Sequence, residues 1–268
     1  MTVALAELAP SVDCHAHIFT RNMPLSGAAW RHPEGEATVE QYLEVLKRAG
    51  VARAVLAAAS IYGDYNDYSL AATRGNPNLK TTVIVSPDVD FDDLKQMKRD
   101  GAVGVRFQWR NAASLPDLSS PSYRRLLQRV VDLDWHIELH DDAHRLPPAI
   151  AAIEGAGVKL VIDHFGRPGP EGLRSPGMDA VLAAVGRGRT WVKLSAGFRL
   201  PSPVVTAEVG AELLRTAGRA RLLWGSDWPF VGFEGQTDYD RELATWRVLI
   251  VDVSTRQALN QTAEAFYF

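Results

Sequence analysis

Short apolar runs alternate with amphipathic stretches along the whole chain. Eight runs read as strands, at 12–19, 52–60, 81–86, 102–108, 136–141, 159–164, 190–195 and 221–227. They are rich in Val, Ile and Leu on both faces, as strands covered by helices must be. Helical spacing recurs between them, at 38–49, 92–99, 122–133, 146–154, 176–185 and 203–217, and twice more at 239–250 and 254–266. The stretch 38–49 opens on Thr38, carries Tyr42, Leu43, Val45 and Leu46, and stops at Gly50. This alternation predicts an α/β protein, a (β/α)8 TIM barrel forming one domain over 1–268. An open doubly wound sheet would usually place a glycine-rich turn after its first strand. Here that strand runs on as His17-Ile18-Phe19.

Composition narrows the function classes. With 46% hydrophobic and 23% charged residues, the chain reads as a soluble globule. The net charge of -3 leaves no electrostatic footprint for nucleic acid. No apolar run approaches the ~20 residues that span a bilayer. The first residues, Met1 to Glu7, lack the basic and apolar regions of a signal peptide. The single cysteine, Cys14, can form no internal bridge, which fits a reducing cytoplasm. Strand alternation places it on the helix side of the first strand, as core and not as a nucleophile. No Gly-x-Ser-x-Gly elbow and no phosphate loop is present.

A barrel of this kind works at the C-terminal ends of its strands. Strand one delivers His15 and His17, which alternation puts on one face, roughly 6–7 Å apart. Strand five ends in His140, strand six in His164 and strand eight in Asp227. Four histidines and one carboxylate thus converge on one mouth. His32, His136 and His144 fall in loops or at a strand start and carry no expected role. Arg106, Arg167 and Arg199 stand at or just past the ends of strands four, six and seven. Their planar donor forks suit a carboxylate, so the expected partner is a small anionic substrate. Arg110 is a weaker candidate. The long loop 20–37 is placed to act as a lid. Trp30, Tyr62, Tyr65, Trp109 and Trp228 are candidate walls for a flat ring.

At these residues the chain resembles the amidohydrolase superfamily. Asp-x-His-x-His on strand one, His140, His164, and Gly-Ser-Asp-Trp-Pro on strand eight carry the resemblance. Gly-Val-Arg-Phe, Asp-His-Phe-Gly-Arg-Pro and Trp-Gly-Ser-Asp-Trp-Pro resemble its 2-pyrone-4,6-dicarboxylate lactonase branch. The resemblance implies a hydrolase that opens the lactone of a small carboxylated substrate, pyrone-dicarboxylate-like or a sugar-acid lactone. It implies Asp227 as the general base toward water, with His15, His17 and His164 holding the water and polarising the carbonyl. Arg106, Arg167, Arg199 and His140 would bind substrate. It implies that no metal is required. Arg106 stands where a binuclear member would carry a bridging lysine. His140 departs from the aromatic residue expected in the pyrone enzyme, and leaves open one divalent cation, zinc or manganese, on His15, His17, His140 and Asp227. The alternatives are a metal-dependent decarboxylase of an aromatic or dienoic acid, a sugar-acid lactone isomerase, and a non-catalytic barrel that binds an organic anion.

Overall fold

The computed structural model describes residues 8–268, so the reading of Met1 to Glu7 falls outside the described residues. Eight parallel strands follow one another around a sheet in chain order. They are β1 (Val12–Ala16), β2 (Arg53–Leu56), β3 (Leu79–Val83), β4 (Ala102–Gln108), β5 (His136–His140), β6 (Lys159–Ile162), β7 (Thr190–Ser195) and β8 (Leu222–Gly225). The helices are α1 (Val39–Ala49), α2 (Asp67–Gly75), α3 (Phe91–Arg99), α4 (Pro121–Asp132), α5 (Leu146–Gly155), α6 (Pro176–Gly186), α7 (Pro203–Ala217), α8 (Tyr239–Leu249) and α9 (Val253–Tyr267). This is the (β/α)8 barrel that the alternation predicts. Several strands are shorter than their apolar runs, because their last residues leave the ladder and turn into the mouth. The helix α2 escapes the pattern reading. It buries only Leu70 and Thr73, too narrow a stripe to stand out.

Helix ends follow local chemistry. Thr38 and Gln41 form a reciprocal capping box at the start of α1, and Gly50 ends it in the left-handed region. Ser175, Ser202, Asp238 and Asp252 cap α6, α7, α8 and α9 through their side chains. The last helix, α9, closes the lower end of the barrel. Its Phe266 and Tyr267 pack on His136 at 5.2 and 5.6 Å between ring centres.

The seam between β8 and β1 is closed just beyond the end of β8. Asp227 N donates to His15 O at 2.8 Å, and His17 N donates to Trp228 O at 2.7 Å. Below them the Asp13 carboxylate accepts from Ser226 N (2.9 Å), Ser226 Oγ (2.6 Å), Tyr42 OH (2.8 Å) and Tyr239 OH (3.1 Å). One buried carboxylate therefore ties β1 to β8, α1 and α8. The strands also come unusually close here. A Cβ on Gly225 would meet His15 Cβ at 2.5 Å, so only glycine fits.

The first strand carries a bulge. Between Asp13 and Ala16 it advances three residues while β2 advances two, from Ala54 to Leu56. Strict alternation breaks at this point, which corrects the expected orientation of Cys14. Its side chain packs with Val12, Val55, Val161, Leu223 and Tyr267. Strands as far apart as β2 and β6 can share a cluster only inside the barrel. Cys14 is core, as expected, but it faces the barrel interior and not the helices.

Candidate active site

The mouth at the C-terminal ends of the strands is lined by His17, Phe19, Trp30, Arg106, Arg110, His140, His164, Arg167, Arg199 and Asp227, among others. All eight residues expected at the site except His15 line it, and His15 lies buried directly beneath. Backbone strain gathers at the same place. His164, Phe165, Arg167, Ala196 and Asp227 all hold positive φ, between 47° and 64°. Non-glycine residues in this region cost of order 1–3 kcal/mol each and persist where the surroundings over-determine them. Here the strain turns the ends of β6, β7 and β8 inward.

Asp227 is at the centre. Its Oδ2 accepts from Arg199 Nε at 2.5 Å. Its Oδ1 faces three imidazole Nε2 atoms, those of His17 at 3.4 Å, His15 at 3.5 Å and His164 at 4.0 Å. The His15 ring is 4.9 Å from that of His17 and 4.7 Å from that of His164. Burial alone would raise the Asp227 pKa. The Arg199 charge and the imidazoles more than offset it and hold the carboxyl well below the usual range. His164 moves down to about 3 because burial disfavours its cation. His15 and His140 also move well below 6.5, with burial again the largest cause. These three imidazoles are neutral at pH 7.

Hydrogen bonds fix where two of the imidazole protons sit. His17 Nδ1 lies 2.7 Å from Ala57 O. A carbonyl only accepts, so Nδ1 carries a proton and Nε2 is the atom that faces Asp227 Oδ1. His140 Nδ1 lies 3.3 Å from Arg106 Nη2. A guanidinium only donates, so His140 carries its proton on Nε2, a buried N–H without a partner among the described residues.

The arginines divide into two kinds. Arg106 is buried, and most of its donors are engaged within the protein. It donates to Asp163 Oδ2 (2.9 Å from Nη2), Ala58 O (2.7 Å) and His140, and its Nε faces Glu138 Oε1 at 2.8 Å. At most one of its five N–H groups remains for a ligand. Arg110 and Arg167, by contrast, both lean on Asp142 Oδ1 through Nε alone, at 3.2 and 3.0 Å. Their terminal nitrogens make no hydrogen bond among the described residues. Arg199 lies against the Phe198 and Phe233 rings, 5.1 and 5.0 Å from their centres, and donates to Val231 O as well as to Asp227. Arg110, the weaker candidate in sequence, thus stands beside Arg167 on the lining.

Of the aromatic residues read as walls, only Trp30 lines the mouth. Trp109 stacks on Phe107 and Trp228 on Tyr42, while Tyr62 and Tyr65 line a separate small cavity. Phe19, not foreseen, supplies the second aromatic wall. The loop 20–37 contributes Trp30 and is fastened by a Phe19–Ala37 bridge at its base. His32 and His144 are exposed and His136 lies at the barrel's lower end, as their positions implied.

His15, His17 and Asp227 offer three ligand atoms within 4.8 Å of one another. A cation needs lone pairs from each ligand. The four-residue set expected from sequence does not supply them, because His140 presents N–H.

A site of four imidazoles and one carboxylate at the end of a (β/α)8 barrel, ringed by arginines, defines a hydrolase-type barrel. The Amidohydrolase family matches residues 12–268, and the chain belongs to that family. It is 28% identical to the 4-sulfomuconolactone hydrolase of Hydrogenophaga intermedia over 83% of this chain and 76% of that one. A solved structure from Acinetobacter baumannii, described as a probable 2-pyrone-4,6-dicarboxylic acid hydrolase with citric acid bound, is 28% identical with a TM-score of 0.91, covering 97% of this chain and 100% of that one. A Pseudomonas putida protein carrying the same name provisionally is 34% identical with a TM-score of 0.89, covering 97% of this chain and 98% of its own.

Proposed function

We propose that this amidohydrolase opens the lactone ring of a small substrate bearing carboxylate or similar anionic groups. One observation carries the reading. Asp227 Oδ1 and His17 Nε2 stand 3.4 Å apart and face the same point in a mouth ringed by cationic side chains. A water placed there donates one hydrogen to Asp227 Oδ1 and keeps an oxygen lone pair for attack, with His17 Nε2 beside it. Asp227 takes the water proton as the new C–O bond forms at the acyl carbon. The carbonyl oxygen becomes an oxyanion and accepts from neutral imidazole N–H groups, such as that of His140. The ring C–O bond then breaks, and the proton held by Asp227 passes to the departing ring oxygen. The products are a hydroxyl and a carboxylic acid on one open chain, the acid then losing its proton to solvent to become a carboxylate, and no metal takes part in a step.

Arg110, Arg167 and Arg199 select the anion, because each lines the mouth and keeps N–H groups that make no hydrogen bond among the described residues. Phe19 and Trp30 favour a flat ring. Relatives named for lactones that carry sulfo or carboxylate groups, and the citric acid bound in one of them, support an acidic substrate. The test is product analysis on a panel of lactones, with and without carboxylate groups, by NMR. Ring-opened acid from the carboxylated members is expected. Released carbon dioxide or an isomeric lactone as the sole product would overturn hydrolysis.

A further inference from the structure

Beneath the mouth, four buried charges close on themselves. Arg106 Nε stands 2.8 Å from Glu138 Oε1, and Arg106 Nη2 stands 2.9 Å from Asp163 Oδ2. Lys193 Nζ stands 2.6 Å from Glu138 Oε2 and 3.4 Å from Asp163 Oδ1. The four residues come from β4, β5, the end of β6, and β7, and none is more than 3% exposed. Two positive and two negative groups make the ring neutral. An unpaired charge at this depth would cost several kcal/mol, and each of the four stands against two groups of opposite sign.

Two imidazoles of the mouth rest on this ring through Nδ1. His140 rests on Arg106, as described above. His15 Nδ1 lies 3.0 Å from Lys193 Nζ. An ammonium only donates, so His15 Nδ1 accepts and its single proton sits on Nε2. A competitor is present, since Asp163 Oδ1 lies 3.3 Å from the same Nδ1 and would accept from it if it carried the proton.

We propose that Lys193 is a positioning residue that holds His15 as its Nε2–H tautomer, so that His15, like His140, presents a hydrogen-bond donor to the reacting oxygens. Lys193 acts through His15 and does not reach the mouth itself. The assignment has a second consequence. With N–H on His15 and His140, these two members of the expected ligand set present no lone pair to a cation. The charge ring thereby favours water over a cation at the centre of the site.

The kinetic arm of the test rests on the hydrolytic reading, but the tautomer arm does not. Ring-15N-labelled protein reports the tautomer of each histidine, with the His15 signals assigned by their loss in His15→Asn. The wild type is expected to show Nε2–H at His15. The test variant is the pair Lys193→Met with Glu138→Gln, which removes one charge of each sign and keeps the ring neutral. Circular dichroism checks that it folds. In this variant Asp163 becomes the partner of His15, whose proton is expected to move to Nδ1. On a lactone turned over by the wild type, kcat is expected to fall ~10-fold or more, the scale of a weakened oxyanion donor, with KM within twofold. A wild-type His15 protonated at Nδ1 overturns the proposal. So does a folded double variant that keeps the Nε2–H tautomer, or one that switches tautomer and keeps full kcat. If no lactone is turned over by the wild type, the hydrolytic reading fails while the tautomer measurement still decides the assignment.

Discussion

Arg199 donates from Nε to the outer oxygen of Asp227 at 2.5 Å, and so leaves the inner oxygen to face the imidazoles. The two oxygens of one carboxylate are thereby given different tasks. The arginine also keeps Asp227 ionised despite complete burial. A carboxylate held this low is a weak base by itself. An anionic substrate that draws on the Arg199 guanidinium would weaken that hold and raise the basicity of Asp227 as it binds.

Asp227→Asn tests the base. The amide keeps the volume and can still accept from Arg199, but it takes no proton from water. Turnover is expected to fall by at least ~10²-fold, the usual scale for loss of a general base, with an unchanged circular dichroism spectrum. Near-normal turnover in the folded variant would remove Asp227 from the mechanism.

The two kinds of arginine are expected to respond differently to Met. Arg167→Met should weaken binding of an acidic substrate by roughly 1.5–3 kcal/mol, the scale of a hydrogen bond to a charged group, and barely affect a neutral ester of it. Arg106→Met leaves Glu138 and Asp163 short of a cation in the interior. Its main effect should be a loss of stability of about 3–5 kcal/mol, as for a broken buried pair, read by urea unfolding. Equal losses for acid and ester in Arg167→Met would refute its role in selecting the anion.

Hydrolysis is expected to survive removal of divalent metal. The protein is purified in chelator, checked by elemental analysis, and assayed on the best lactone. Activity that disappears and returns only with zinc or manganese would favour a metal-dependent reaction. It would also require His15 to give up the Nε2 proton assigned to it here.

Glu242 gives a pH-dependent stability test. Burial pushes its pKa up to about 7, although Thr237 donates to it at 2.8 Å. The folded value lies above the unfolded one of ~4.3, so the folded state binds more protons between the two. Stability from this group is full below pH 4 and is lost as pH rises through 7. Glu242→Gln should therefore be more stable than the wild type at pH 8, by roughly 3 kcal/mol for a shift of this size, and about equal to it near pH 4. A difference that does not vary with pH would mean that Glu242 is ionised normally in the fold.

The strand order and the mouth were legible in sequence because apolar runs mark the strands, and barrel chemistry collects at their ends. His15, His17, His140, His164 and Asp227 could be placed together on that ground alone. The orientation of Cys14 could not, because a bulge shows only when β1 is set against β2. The buried partners of Arg106 were hidden for a related reason. Glu138 and Asp163 lie on other strands, and only their heights in the barrel reveal that they meet it. A signal for the charge ring was present all the same. Glu138 and Lys193 are charges inside otherwise apolar strand runs, and such residues need a partner or a task.

The seam between β8 and β1 has a consequence for how the protein comes into being. Asp227, the proposed base, stands just past the last strand, while the imidazoles nearest to it come from the first, more than 200 residues earlier. Asp227 N and His17 N make the hydrogen bonds that join the two ends of the sheet. A chain emerging from the ribosome therefore cannot assemble this site in stages, since its first histidines must wait for nearly the whole polypeptide. Activity and ring closure should appear as one event during refolding, which makes turnover a direct clock for completion of the barrel.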